Sequence, residues 1–194
     1  MEGRSSARVS LEEYLRIDAA SPERLEFRGG YVVAFAVPSG NHEQIKANLA
    51  GRLASSARAR GCKPLLGGVK VICPNGDRNI PDLGMTCDER DRRALDAAGE
   101  AVVEHPWLII EILSPATAAD DRTEKLDAYR EIPELTHYLV IDSRKQWMLL
   151  HSRTSDGRLA IESTIESVEL PGIGELDFAT IYDGTSVPKI VLPT

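Results

Sequence analysis

Hydrophobic and polar positions along the chain switch between a helical and a strand period, with turn chemistry at the switches. Ser10-Leu11-Glu12-Glu13 has the Ser-x-x-Glu spacing of a capping box, in which an N-cap hydroxyl and a Glu carboxylate each satisfy an orphan amide, so a short helix is expected over about 11–19. After Ser21-Pro22, residues 24–28 alternate polar and apolar, Gly29-Gly30 interrupts them, and the apolar stretch from Tyr31 to Ala36 completes a hairpin pattern. Ile45, Leu49 and Leu53 recur every fourth residue between Asn41 and Arg60, and Gly61 sits where a C-cap glycine would, which predicts a long amphipathic helix. Residues 63–73 are β-branched and apolar and read as a strand. The turn Pro74-Asn75-Gly76-Asp77 separates them from a second strand over about 79–87.

Residues 88–104, rich in Asp, Arg and Ala, read as an exposed loop or short helix with solvated charges. An apolar strand over 107–113 follows, then a break at Ser114-Pro115 and a helix over about 120–131 that Pro133 ends. Residues 137–142 and 146–152 form a strand, turn and returning strand around Ser143-Arg144-Lys145. Beyond the turn at Asp156-Gly157 come strand-like runs over 159–163 and 167–170 and a short helical piece over 178–182. The central order of helix, three strands, helix and strand is that of a mixed α/β domain, with 107–113 as a central strand covered on both faces.

Composition narrows this picture. At 194 residues, 42% apolar and 27% charged, the chain fits one globular domain spanning 1–194 and lacks the composition of a disordered protein. A net charge of -7 argues against a generally basic nucleic-acid coat, yet the charge is uneven. Residues 1–70 hold 11 Lys+Arg and 7 Asp+Glu, a local +4, so the remainder carries -11. Cys62, Cys73 and Cys87 match no zinc spacing, and so sparse and odd a count suggests a reducing compartment. The chain opens on polar residues without a secretory signal, and its longest apolar run, Tyr31 to Val37, is too short to span a bilayer. A cytoplasmic protein without a membrane partner is the expectation.

The candidate chemistry starts from Glu111, the one carboxylate within the apolar strand Trp107 to Leu113. A lone buried charge costs several kcal/mol or more, so Glu111 requires a partner. Strand alternation places it on one face with Ile109 and Leu113. The preceding strand carries Asp82 among apolar neighbours, and if the two strands are adjacent the carboxylates face each other and repel unless a proton or cation lies between them. A divalent metal is the simplest resolution. Hard cations favour carboxylate and carbonyl oxygens, so Asp82, Glu111 and the backbone carbonyl of Ile112 are candidate ligands for Mg2+ or Mn2+. On the following helix Asp121, Lys125 and Tyr129 are four apart on one face, and Lys125 can reach back to orient a water or stabilise an anionic phosphate. A buried salt bridge for Glu111 and a surface pair of Lys125 with Asp121 are the structural alternatives.

Pro81-Asp82, Glu111-Ile112-Leu113-Ser114-Pro115 and Asp121-Arg122-x-x-Lys125-x-x-x-Tyr129 together resemble the Uma2 family of restriction endonucleases within the PD-(D/E)XK nuclease superfamily. The likeness runs over roughly residues 9–152 and includes Leu11 to Leu15, Ser21 to Glu26, Gly30 and His42. It implies a restriction-endonuclease-like α/β fold: a mixed central sheet flanked by the 41–60 and 120–131 helices, with an N-terminal helix-hairpin and a C-terminal strand extension. The usual superfamily lysine stands two residues after the acid, where this chain has Leu113, so the resemblance implies a migrated lysine supplied by Lys125. It also places Glu26 and His42 near the site. The implied activity is metal-dependent phosphodiester hydrolysis, with Asp82, Glu111 and Lys125 catalytic and DNA as substrate. A homodimer is suggested because cutting both strands needs two sites. The alternatives are a catalytically silent DNA-binding or assembly module, and a hydrolase of RNA or small nucleotides.

Overall fold

The computed structural model describes residues 3–34, 38–114, 120–164 and 167–189. Strand β1 (Gly3–Arg4) and helix α1 (Leu11–Ala20) lead into the hairpin β2 (Leu25–Arg28) and β3 (Tyr31–Ala34). The Ser10 hydroxyl accepts the Glu13 N–H at 3.1 Å, so the N-cap half of the predicted box is made. Then come α2 (Gly40–Ala59), β4 (Lys63–Leu65), β5 (Lys70–Ile72), β6 (Arg78–Asn79), β7 (Leu83–Thr86), α3 (Glu89–Asp96) and β8 (Val102–Val103). The long strand β9 (Pro106–Leu113) precedes α4 (Asp120–Arg130), β10 (His137–Asp142), β11 (Met148–Arg153) and β12 (Leu159–Thr164). The chain closes with β13 (Ser167–Leu170), β14 (Gly174–Asp177) and α5 (Phe178–Ile181).

Mixed α/β architecture is as expected, but the strands divide between two six-stranded sheets. One has the order β1-β3-β2-β6-β5-β8 and the other β12-β11-β10-β9-β7-β4; β13 and β14 pair separately. Two expected strands are therefore broken. The run 63–73 splits at Gly67 and Gly68, whose φ values of 87° and 75° turn the backbone where a side chain would be strained. The run 79–87 splits around Ile80-Pro81-Asp82, because Pro81 has no N–H to give a ladder. These two breaks send the chain from one sheet to the other. β14 was not expected: Gly174 and Glu175 interrupt the apolar pattern that a strand would need to be visible.

β9 sits inside the second sheet, parallel to β10 and antiparallel to β7. Its alternate residues feed two separate cores, as a strand covered on both faces should. Leu108, Ile110 and Ile112 pack with Ile45, Leu49 and Leu53 of α2, whereas Ile109 and Leu113 pack with Ala128 and Tyr129 of α4. The spacing that predicts α2 is thus the spacing of its contact with β9.

Antiparallel pairing of β4 with β7 sets Lys63 opposite Thr86, which brings Cys62 level with Cys87. The two form a disulfide with an S–S distance of 2.04 Å, and Cys73 is a buried thiol. This pair runs against reading the sparse, odd cysteine count as a sign of a reducing compartment; the register of β4 on β7, which the count does not carry, creates it. Among the described residues no helix is long and apolar enough to cross a membrane.

Gly84, in the middle of β7, has no room for a side chain: a Cβ there would lie 2.7 Å from the Leu108 carbonyl oxygen of β9. Gly84→Ala should therefore force the two strands apart and cost about 1–3 kcal/mol, the range for overpacking. Urea unfolding of the variant and parent at equal m-value measures this loss; an unchanged midpoint would show that β7 and β9 are not packed so closely.

Candidate active site

Register and turn chemistry bring the site together. Leu83 of β7 pairs with Ile110 of β9, so Asp82, just before β7, arrives beside the last turns of the β9 ladder. Its Oδ2 accepts the Ile112 N–H at 2.7 Å, taking over the bond that a longer β7 would have made. A strand residue's N–H and C=O point to the same side, so the Ile112 carbonyl also faces the Asp82 side. On its other oxygen Asp82 meets His42 Nε2 at 3.1 Å, and His42 Nδ1 is 3.1 Å from Glu43 Oε1. His42 lies in the first turn of α2, where Ser39 accepts its backbone N–H and fixes the helix start.

Glu111 points to the opposite core, toward α4. Lys125 Nζ donates to its Oε1 at 3.1 Å and the Tyr129 hydroxyl donates to the same oxygen at 3.0 Å. The four-residue spacing of Lys125 and Tyr129 puts both on one helix face, as the sequence predicts. Lys125 Nζ also lies 3.2 Å from Glu26 Oε1. Glu26 is fully buried on β2, where it accepts the Ile80 N–H and a contact from Arg28. One ammonium thus bridges a carboxylate from each of the two large sheets.

Burial governs the protonation of this cluster. Desolvation, with the Asp82 and Glu26 charges adding to it, outweighs the pull of Lys125 and pushes the Glu111 carboxyl up to about 8. Burial raises Asp82 too, but the His42 hydrogen bond and charge, the Ile112 amide and Lys125 overcome it and hold Asp82 below its ordinary value. Burial lowers His42, yet Asp82 and Glu43 leave it above the usual imidazole value. Tyr129 is driven far above the ordinary phenol range by desolvation and by Glu111, so it acts as a donor. Two neighbouring carboxyls are thereby split into one ionised and one protonated at neutral pH.

Asp82, Glu111, Lys125, Tyr129, His42 and Glu26 are all in this cluster, and all except Glu26 and Tyr129 keep some solvent exposure. The side chain of Asp121 and the residue Pro115 lie outside the described residues. Sequence reasoning passed over Arg28 and Glu43. A signal for Arg28 existed: it is two residues beyond Glu26 on the same face of a strand, and a buried carboxylate requires such a cation. Leu113, in the usual lysine place, is buried against Tyr129 and Val140, where an ammonium would be expensive.

Among the described residues no three His, Cys, Asp or Glu side chains converge as a ready-made metal cage. The donor set nevertheless fits a hard divalent cation that keeps most of its own waters. Both hydrogen bonds to Glu111 fall on Oε1, and Oε2 accepts none among the described residues. Among the described residues each Asp82 oxygen takes one bond out of the two it can accept.

Comparison with known proteins gives consistent likenesses. The Uma2 family, described as "Putative restriction endonuclease", matches residues 11–179. The chain is 31% identical over 182 residues to "Uncharacterized protein slr1290" of Synechocystis sp., covering 91% of this chain and 93% of that protein. It is 29% identical over 135 residues to "Uncharacterized protein sll1609" of the same organism, covering 69% of this chain and 75% of that one. A crystal structure titled as a putative nuclease belonging to DUF820 from Anabaena variabilis superposes with a TM-score of 0.72 at 19% identity, covering 90% of this chain and 97% of that one. The last likeness is one of fold.

A folded-state pKa of about 8 for Glu111, against about 4.3 for an ordinary Glu, makes stability depend on pH. The folded chain holds a proton that the unfolded chain releases, so the contribution is complete below about pH 4.3 and is lost as pH rises to about 8. In the presence of a chelator, wild-type Tm should fall more steeply between pH 5 and 8.5 than that of Glu111→Gln. The His42 contribution, also lost with rising pH, is common to both proteins and cancels in the difference. Parallel Tm profiles would mean that Glu111 is ionised throughout.

Proposed function

The chain belongs to the Uma2 family of putative restriction endonucleases, and from that membership and the site's geometry we propose that it is a divalent-metal-dependent nuclease hydrolysing phosphodiester bonds in DNA. The observation that carries the reading is that Asp82, held on the Ile112 N–H, stands near enough to Glu111 for its charge to act on that carboxyl, with the Lys125 ammonium 3.1 Å from Glu111. The solved structure of similar fold is itself titled a putative nuclease.

In this reading Asp82, Glu111 and the Ile112 carbonyl hold Mg2+ or Mn2+. When bound, such a cation lowers the pKa of a coordinated water and screens phosphate charge. The remaining steps belong to the chain's own groups. His42 holds the Asp82 carboxylate in one orientation through its 3.1 Å contact, and the Ile112 N–H holds the other oxygen. Tyr129 and Lys125 fix Glu111 by the oxygen they share. Lys125, anchored on Glu26, keeps a positive charge where a water must lose a proton and where the phosphate gains negative charge. Glu26 and Tyr129 are positioning residues, because they reach the reacting atoms only through Lys125 and Glu111. Cutting both strands of a duplex requires two such sites, which favours a homodimer acting on DNA.

Incubating wild type and Asp82→Ala with supercoiled plasmid, with and without manganese, tests the reading. Nicking should require manganese and fall at least about 100-fold in the variant, the order expected when a metal's anchoring group is lost. Lys125→Met should fall by a similar factor. Equal nicking by wild type and Asp82→Ala would overturn the site. Manganese-independent binding to DNA without cleavage would favour the silent binding module.

A further inference from the structure

Beside the carboxylates lies a second cluster of a different kind. The β4–β5 turn at Gly67-Gly68 passes directly under the backbone of Asp82: a Cβ on Gly67 would stand 3.6 Å from the Asp82 carbonyl oxygen. The same point is 2.9 Å from Lys46 Nζ, so the Lys46 ammonium and the Asp82 backbone border one small space. A Cβ on Gly68 would meet the Arg24 guanidinium, with Cζ and Nη1 at 2.8 Å. Two cations therefore rest on two consecutive glycines at the edge of the site.

Their origin in the chain explains the arrangement. Lys46 follows His42 by four residues on α2, so the face that presents His42 to Asp82 also presents Lys46. Arg24 precedes Glu26 by two residues and leaves β2 on the same side. Lys46 is half-buried and Arg24 exposed, and neither makes an ion pair among the described residues. Other cations nearby are committed: Lys70 to Asp18 and Glu100, Arg28 to Glu26, Lys125 to Glu26 and Glu111. Holding two uncompensated cations close together is unfavourable unless an anion joins them. With no side chain of their own, the two glycines leave room for the Lys46 ammonium and the Arg24 guanidinium to sit against the turn.

We propose that Arg24, Lys46 and the Gly67-Gly68 turn form a cradle for backbone phosphates of the nucleic-acid strand, next to the phosphodiester that Asp82 and Glu111 act on. The cradle rests on the nuclease reading above and adds to it how an acidic protein seats a polyanion. It gives the local +4 of residues 1–70 a place in the fold, since Arg24 and Lys46 both come from that segment. Each phosphate contact should contribute about 0.9 to the slope of log affinity against log salt, independent of base sequence.

The test is fluorescence anisotropy of a labelled 20-base-pair DNA duplex from 50 to 300 mM KCl in calcium, together with manganese-dependent cleavage. Arg24→Gln and Lys46→Gln are each expected to reduce the salt slope by about 0.9, and the double variant by about 1.8. In cleavage, KM should rise about tenfold or more while kcat changes little. Charge-retaining Arg24→Lys and Lys46→Arg should restore most of the binding, and Arg58→Gln, an exposed cation at the far end of α2, should behave as wild type. Wild-type binding with an unchanged slope in the double variant would overturn the cradle and leave the nuclease reading standing. Wild-type protein that neither binds nor cuts would remove both. A loss in Arg58→Gln equal to that in the double variant would also overturn the cradle, because the effect would then be one of net charge.

Discussion

Everything at the centre of this molecule depends on keeping the Glu111 carboxyl inside an otherwise apolar strand. An isolated carboxylate there would be destabilising by several kcal/mol, and the fold offsets that in two ways. It supplies donors from α4, Lys125 and Tyr129, and it lets the carboxyl hold its proton up to about pH 8. The first demands that α4 lie across β9; the second demands that Asp82 nearby be ionised and engaged elsewhere. Both demands are met by the order of elements, since α4 is the crossover between the parallel strands β9 and β10.

The two faces of β9 divide the labour. Leu108, Ile110 and Ile112 pack against α2, which carries His42 to Asp82, while Ile109 and Leu113 pack against α4, which carries Lys125 to Glu111. The groups of the candidate site are thus continuations of the two cores at their solvent ends. Glu26 then ties in the other sheet, because Lys125 cannot reach both glutamates unless β2 lies over α4. At the far end of α2 the Cys62–Cys87 disulfide joins the start of β4 to the end of β7, so the α2–β7 pairing that sets His42 on Asp82 is fastened at both ends.

Much of this was visible in residue pattern. Spacing of four located α2 and the Lys125-Tyr129 face, and strand alternation correctly put Glu111 on the face of Ile109 and Leu113. The breaks at Gly67-Gly68 and Pro81 were harder. A short β-branched run reads the same whether it is one strand or two, and only pairing decides which sheet each half joins. Glu26 and His42 show the limit for the site: a lone Glu in a hairpin has no local mark of burial, and one of its two cation partners, Lys125, lies 99 positions away on α4. The Cys62–Cys87 pair is invisible for the same reason. Non-local register, not composition, creates it.

On the nuclease reading, the protonation pattern also constrains how a cation would enter. In the metal-free cluster each carboxyl already has a counterpart: Glu26 faces Arg28 and Lys125, Asp82 faces His42, and Glu111 keeps its own proton. A divalent cation arriving at Asp82 and Glu111 would expel that proton, so the net gain in charge is about one unit and not two. One extra positive charge between Lys125 and the uncommitted pair Arg24 and Lys46 is unfavourable for the empty site and favourable once a phosphate joins it. On the nuclease reading, metal and nucleic acid should therefore each strengthen the other's binding, through charge balance among groups that need not move.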